Sequence, residues 1–170
     1  NESPLIENYH TYTEIQEKLT TWDEIYGNND NTQPSYYADS GIIYKLEEIG
    51  VSNVNQLPIY AVKLSYNADL DLDKPRVLIL GQCHAEEIYG VEISMALIEM
   101  FLDPSLLGSE GYEYLPNPSD VSPFVDLRNI LSRIEIWVVP THNPDGRQMV
   151  HGYENDNQEW IQDVAYRKNI

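Results

Sequence analysis

The stretch VLILGQCHAEEIYG, residues 77–90, decides the fold of this chain. Its first four residues, 77–80, are all apolar, which is typical of a strand buried on both faces of an α/β sheet. Helical periodicity then extends over residues 88–102, with Val91, Met95 and Ile98 on a buried stripe, Ile93 beside it and Glu92 facing outward. The stretch therefore predicts a strand that leads through a polar corner, containing His84 and Glu87, directly into a helix.

A second apolar strand is predicted over residues 134–139, after a short helix over residues 125–131. Strand, helix and strand in this order indicate a right-handed parallel crossover. In open sheets of this kind ligands bind at the carboxyl ends of the strands, and His84 and Asn143 both follow such ends. We therefore predict an α/β fold, a three-layer α/β/α sandwich with a mixed, largely parallel central sheet.

The chain before this crossover is predicted to form one helix and one hairpin. Thr13 and Gln16 have the spacing of a capping box, and apolar residues follow at helical intervals as far as Ile25. Residues 42–49 and 57–65 alternate in polarity and are rich in β-branched residues, which predicts a pair of edge strands.

Two further segments are predicted to be loops. The acidic turn NADLDLDKP, residues 67–75, offers the clustered oxygens that calcium prefers. It lacks the ligand spacing of a calcium loop, so a solvated loop is the favoured interpretation. Residues 103–123 are rich in turn-forming residues and predict a long surface insertion.

Length and charge narrow the possible functions. The 170 residues suit a single domain, and 42% are hydrophobic, enough to form a core. The formal net charge of −18 disfavours nucleic acid and anionic membrane surfaces as partners. No apolar stretch approaches the roughly 18 residues of a membrane helix, and the single cysteine, Cys83, excludes a disulfide within the chain.

The corner between strand and helix carries a candidate metal-binding pair. His84 and Glu87 have His-x-x-Glu spacing, which can direct an imidazole nitrogen and a carboxylate at one ion. A catalytic zinc site needs three protein ligands, of which this corner would supply two. Carboxylates also stabilise the first turn of a helix, so spacing alone leaves a structural role open. The position of His84 directly after a buried strand favours zinc, which would compensate the burial of polar groups.

Four segments together resemble the zinc carboxypeptidase family in order and approximate spacing. They are YHTYTEI, HAEE, IEIWVVPTHNPDG and YRKN, and the resemblance extends from Tyr9 to Asn169. It implies a zinc-dependent peptidase that removes C-terminal residues from peptides or proteins by means of a metal-activated water. It also implies His84 and Glu87 as zinc ligands and Arg167 as the guanidinium that polarises the scissile carbonyl.

These implied roles suit peptide hydrolysis, which builds negative charge on the carbonyl oxygen and needs a fixed cation beside it. Without the resemblance, Arg167 would be interpreted as a surface arginine. The resemblance implies that the turn at residues 143–146 shapes the wall of the site. His10, His142 and His151 are interpreted as structural or solvent-facing.

The sequence departs from the family pattern in two places. Many members have an arginine where this chain has Glu86, so we expect a preference for basic or neutral substrate residues over acidic ones. The family supplies its third zinc ligand, general base and terminal-carboxylate pair from sequence that follows the equivalent of Arg167, and this chain ends at Ile170. Residues 1–170 are therefore interpreted as the N-terminal part of one carboxypeptidase catalytic domain, inactive without its C-terminal half.

Such a segment should have an incomplete sheet, with the apolar sides of residues 77–80 and 134–139 partly uncovered. Two alternatives stay open, namely a deacylase or amidase on the same zinc scaffold and a catalytically silent relative that binds peptide or cell-wall material. A first residue, Asn1, that is not methionine indicates a trimmed N-terminus and a secreted or extracytoplasmic protein.

Overall fold

The computed structural model describes residues 8–28, 37, 39–103 and 127–168. In chain order its helices and strands are α1 (Tyr12–Tyr26), β1 (Tyr44–Val51), β2 (Pro58–Leu64), β3 (Arg76–Gln82), α2 (Tyr89–Leu102), α3 (Leu127–Arg133), β4 (Glu135–Thr141), α4 (Pro144–His151), β5 (Tyr153–Glu154) and β6 (Trp160–Ile161). None of the helices in these residues is long and apolar enough to cross a membrane.

Four strands form one mixed sheet in the order β1–β2–β4–β3. Strands β1 and β2 pair antiparallel as the predicted hairpin, β2 also pairs antiparallel with β4, and β4 runs parallel to β3. The predicted α/β class and the parallel crossover are therefore confirmed. In the described residues the parallel part of the sheet is the β3–β4 pair, and β2 lies inside the sheet rather than at its edge.

Helix α1 begins before the capping box that the sequence suggested. Thr11 Oγ1 accepts a hydrogen bond from Glu14 N at 3.2 Å, and Glu14 Oε2 accepts one from Thr11 N at 2.7 Å. This box prevails over the Thr13–Gln16 spacing because a carboxylate at the third helical position is favoured by the helix dipole as well as by the cap. The buried residues of α1 are Tyr12, Ile15, Leu19 and Trp22.

Helix α2 buries the stripe that its periodicity predicts. Val91, Met95 and Ile98 are at most 1% exposed and join residues of α1, α3 and the sheet in one core. Two predictions for this helix are wrong. Ile93, expected beside the buried stripe, is 68% exposed, and Glu92, expected to face outward, is only 23% exposed because it belongs to a polar cluster.

Strand β3 is not buried on both faces. Val77, Leu78 and Leu80 are 44%, 62% and 55% exposed, whereas Ile79 packs against the core. The difference arises because β3 is the last strand of the sheet in the described residues, while β4 lies between two neighbours and is mostly buried. The expected uncovering of apolar side chains is therefore found on β3 and not on β4.

Three loop predictions have different outcomes. The segment after β4, predicted as a turn, forms helix α4, with Asn143 as its N-cap and Pro144 at its start, a favourable position for proline. In the acidic turn, Asp71 pairs with Arg76 at 2.5 Å, and the described residues contain no group of three or more His, Cys, Asp or Glu side chains able to hold a metal ion. The predicted insertion over residues 103–123 lies almost entirely outside the described residues.

Candidate metal centre

Hydrogen bonds at the ends of β3 and β4 fix the corner that carries His84. Gln82, the fully buried last residue of β3, donates from Nε2 to the Ala85 carbonyl at 2.6 Å. Its Oε1 accepts from Thr141 Oγ1 of β4 at 2.9 Å. The backbone N–H of Glu87 donates to the His84 carbonyl at 3.1 Å and closes a turn. The corner is therefore tied to both parallel strands at their carboxyl ends.

The side chains of His84 and Glu87 converge at this corner. His84 Nδ1 lies 2.9 Å from Glu87 Oε1, and the two side chains are 39% and 51% exposed. Two ligands of a tetrahedral zinc ion are roughly 3.3 Å apart, so a small movement would let this pair share one ion. The donor set and its spacing fit zinc. A third ligand from the described residues does not join them.

Arg167 reaches the same corner from the end of the described chain. Its Nη1 donates to Glu86 Oε1 and lies 3.8 Å from Glu87 Oε1. Burial raises the pKa of Glu86, but a hydrogen bond from its own backbone and the Arg167 guanidinium outweigh it and hold that pKa below its usual value. The Arg167 side chain is 62% exposed, so it lies largely in solvent.

Asn143 lies between the corner and the Arg167 segment. Its Nδ2 donates to the carbonyl of Cys83 at 3.2 Å and to the carbonyl of Lys168 at 3.1 Å. Its Oδ1 accepts from Gly146 N at 3.1 Å and caps α4. Sequence reasoning expected this residue to shape the wall of the site, and the bridge between two distant backbone segments was not predicted.

The neighbouring Asp145 holds a different part of the chain. Its two carboxylate oxygens accept hydrogen bonds from the backbone N–H groups of Val54 and Asn55, each at 3.1 Å. The side chain is 2% exposed. The loop between β1 and β2 is therefore fastened to the first turn of α4, close to the carboxyl end of β4.

A buried polar cluster of residues that are distant in the sequence supports the corner. Arg147 is fully buried and donates to the His10 carbonyl at 2.9 Å, to the Ile88 carbonyl at 3.4 Å and to Glu92 Oε1 at 3.0 Å. His10 Nδ1 lies 2.6 Å from the other Glu92 oxygen. Burial lowers the pKa of Arg147 to about 10, although the Glu92 charge opposes the shift. Because Ile88 follows Glu87, this cluster anchors the residue next to the candidate ligand.

Sequence reasoning missed Glu92 and Arg147 as parts of the site's support. One signal was present in the sequence. Arg147 follows the Asn-Pro-Asp-Gly segment closely, near the N-terminus of α4, where the helix dipole disfavours a positive charge. A cation in that position indicates a specific acceptor elsewhere in the fold.

The fold and the corner define an α/β protein with a candidate zinc centre at the carboxyl ends of two parallel strands. Residues 36–169 match the sequence profile of the family described as zinc carboxypeptidase. A zinc carboxypeptidase from Saccharothrix mutabilis subsp. capreolus is 29% identical over 104 residues, which make up 61% of this chain and 20% of that protein. The chain belongs to the zinc carboxypeptidase family.

Solved structures support the same fold. Carboxypeptidase A from Helicoverpa armigera has a TM-score of 0.63 and 18% identity, over 99% of this chain and 31% of that one. Thrombin activatable fibrinolysis inhibitor has a TM-score of 0.62 and 19% identity, over 98% of this chain and 31% of that one. The chain thus spans less than a third of the length of these relatives.

Proposed function

We propose that this chain contributes the first part of the active site of a zinc carboxypeptidase, which hydrolyses C-terminal residues from peptides or proteins. One observation carries the proposal. Glu87 Oε1 lies 2.9 Å from His84 Nδ1 and 3.8 Å from Arg167 Nη1, so a metal-binding pair and a cation meet at one oxygen. Metal-assisted peptide hydrolysis requires these kinds of group close together.

Each of the three residues has a separate role. His84 and Glu87 would hold the zinc ion, together with ligands from outside the described residues. A zinc ion bound there supplies Lewis acidity that activates water and polarises a carbonyl. Arg167 donates to the oxygen of the scissile carbonyl and stabilises the negative charge that develops on it. The exposure of all three side chains leaves room for a peptide to approach.

The relatives are longer than this chain, so the activity is proposed for the whole protein that contains it. We propose residues 1–170 as the N-terminal part of a single catalytic domain. Peptides with a free C-terminus are the proposed substrates, and a secreted or extracytoplasmic location is proposed with them.

The test compares zinc content and hydrolysis in the full protein. His84→Ala and Glu87→Gln should each lower the zinc content, measured by mass spectrometry of the metal, at least about tenfold and abolish hydrolysis. Glu99→Gln is the matched control, because Glu99 is on α2 and pairs with Lys18 at 3.4 Å, away from the corner.

Substrate peptides in pairs with a free or an amidated C-terminus separate the possible activities. A carboxypeptidase cleaves the free form and spares the amide. Wild-type zinc content in both corner variants would contradict the proposed ligands, and equal cleavage of the two peptide forms would indicate an amidase or an endopeptidase.

A further inference from the structure

We infer that Asn143 is a positioning residue that holds Arg167 at the His84–Glu87 corner. The inference rests on the proposed function, and it assigns Asn143 to the geometry of the site rather than to contact with substrate. Asn143 is 3% exposed and lies between the end of β4 and the start of α4.

The side-chain amide of Asn143 uses all its polar groups. Its oxygen accepts from Gly146 N at 3.1 Å, and its nitrogen donates to the carbonyls of Cys83 and Lys168 at 3.2 Å and 3.1 Å. An amide nitrogen has two hydrogens and can donate to both carbonyls at once. These partners also fix the orientation of the amide, because only the nitrogen can donate to two carbonyl oxygens. We call the two bonds from Nδ2 the Asn143 bridge.

The Asn143 bridge joins two segments that the chain itself leaves far apart. Cys83 directly precedes His84, and Lys168 directly follows Arg167. The bridge therefore connects the backbone beside a candidate zinc ligand to the backbone beside the candidate cation. The arginine side chain is long and 62% exposed, so an unanchored backbone would let its guanidinium occupy many positions.

Gly146 makes room for the bridge. A Cβ atom on Gly146 would lie 2.5 Å from Asn143 Nδ2 and 2.7 Å from Oδ1, closer than side chains approach each other. A glycine therefore allows the Asn143 amide to fold over the first turn of α4 and still reach both carbonyls. The cap, the glycine and the bridge form one unit in the Asn-Pro-Asp-Gly segment.

Two substitutions separate the bridge from the helix cap. Serine and aspartate cap helices about as well as asparagine, since each offers an oxygen to the free N–H groups. Neither has an N–H group to donate to both carbonyls. Asn143→Ser and Asn143→Asp should therefore keep α4 capped and remove the bridge. Because only the aspartate adds a charge, an effect that both variants show is caused by the loss of the Nδ2 donor.

The experiment uses the full zinc-loaded protein with ¹⁵N-labelled arginine. The Nε–Hε resonance of Arg167, assigned with Arg167→Lys, reports the environment of the guanidinium. Glu86→Gln removes the carboxylate partner of the guanidinium but keeps Asn143. Its spectrum therefore gives the reference position of the Arg167 resonance when the guanidinium lacks this partner. Asn155→Asp in the turn between β5 and β6 is the control for the same substitution elsewhere, because Asn155 also donates from Nδ2 and accepts at Oδ1.

In both Asn143 variants we expect the Arg167 resonance to move toward its position in Glu86→Gln. The kcat should fall about 100-fold, the effect of a small misplacement in an active site, while Asn155→Asp stays like the wild type. In an Arg167→Ala background, Asn143→Ser should lower kcat less than about threefold further, because residues that act through each other are not additive.

An unmoved Arg167 resonance in both variants, or losses that multiply in the double variant, would overturn the inference. Loss of cooperative unfolding in both variants would also overturn it, since Asn143 would then determine folding. A wild-type protein that binds no zinc and cleaves no peptide would contradict the proposed function alone, and the Arg167 resonance would still decide whether Asn143 positions the arginine.

Discussion

Arg167 donates a hydrogen bond to Glu86, the residue that stands where many family members have an arginine. Glu86 is therefore not a free anion in the cleft, as the sequence had suggested. Its charge is shared with the cation that is proposed to act on the substrate carbonyl. Glu86 therefore has two electrostatic effects: its carboxylate offsets the positive charge of Arg167, and it adds negative charge beside Glu87.

Substrate charge should reveal this pairing. We expect the full protein to cleave peptides with basic or neutral residues near the scissile bond faster than peptides with acidic ones. Glu86→Gln should lower the ratio of kcat/KM for basic peptides to kcat/KM for acidic peptides by roughly three- to tenfold. The reason is that the substitution leaves the Arg167 charge uncompensated. Glu159→Gln, in the turn between β5 and β6, is the control. Equal ratios in the wild type and Glu86→Gln would contradict the role of Glu86.

His151 should make folding stability depend on pH. Its side chain is 1% exposed, and its ring nitrogens have no hydrogen-bond partner among the described residues. Burial, helped by the Arg147 charge, lowers the pKa of His151 to about 4, from 6.5 in the unfolded chain. Between these values the unfolded state binds more protons, so stability falls as pH falls, by about 3 kcal/mol in total.

Urea unfolding between pH 4.5 and pH 7.5, followed by circular dichroism, measures this dependence. His151→Leu should remove most of the slope between pH 6.5 and pH 4.5 and leave the profile above pH 7 flat. Glu14 and Glu92 have pKa values below the usual one, so their contributions are lost only as pH falls below about 4.5, outside this window. An unchanged slope in His151→Leu would show that other groups cause it.

The buried ion pair of Lys63 and Glu135 gives a prediction about stability. The Lys63 Nζ and Glu135 Oε1 atoms are 2.9 Å apart, and the side chains are 5% and 1% exposed. Lys63→Met should lower the free energy of unfolding by about 2 kcal/mol, because one oxygen of the buried Glu135 carboxylate loses its ion-pair partner while Arg76 and Trp137 still donate to the other. Adding Glu135→Leu should recover most of this loss.

Lys45→Met is the control for the buried pair. Lys45 and Glu47 are 2.6 Å apart, but their side chains are 42% and 34% exposed, so the loss should stay below about 1 kcal/mol. Denaturant unfolding of the four proteins measures these differences. A loss in Lys63→Met no larger than in Lys45→Met would show that burial does not strengthen the pair.

Gly81 should tolerate no side chain. A Cβ atom there would lie 2.2 Å from the Pro140 carbonyl oxygen, 2.6 Å from Ser94 Oγ and 2.9 Å from the Gly90 carbonyl oxygen. Gly81→Ala should therefore destabilise the fold by at least about 2 kcal/mol, because β3, β4 and the start of α2 would be forced apart. Gly50→Ala is the control, since a Cβ atom on Gly50 has nothing within 4 Å. Thermal unfolding of both variants decides the matter, and similar melting temperatures would contradict the close packing.

The sequence by itself determined the course of the chain through β3, the corner and α2. Hydrophobic periodicity is a pattern of residues that are close in sequence, so the local sequence is sufficient to predict the change from strand to helix near Ile88. The meeting of His84 and Glu87 was predictable for the same reason, because the two residues are only three positions apart in one turn. The crossover to β4 followed from the fixed handedness of such connections.

Local signals were not sufficient where two of them competed. The spacings Thr11–Glu14 and Thr13–Gln16 both suggest a helix start. The helix begins at the first spacing because Thr11 and Glu14 form the capping box. The apolar residues of β3 suggest burial on both faces, yet burial depends on which elements lie beside the strand, as Leu78 and Leu80 show.

Only the tertiary structure decided how distant segments hold the site. Asn143 contacts the carbonyls of Cys83 and Lys168, which are 60 and 25 residues away in the chain, and Arg147 contacts His10 across 137 residues. No periodicity or spacing predicts these pairs, because each depends on how several helices and strands pack against one another. The sequence supplied the groups that could perform the chemistry, whereas packing of remote segments set their distances, since a hydrogen bond forms only when the whole fold brings its donor and acceptor within about 3 Å.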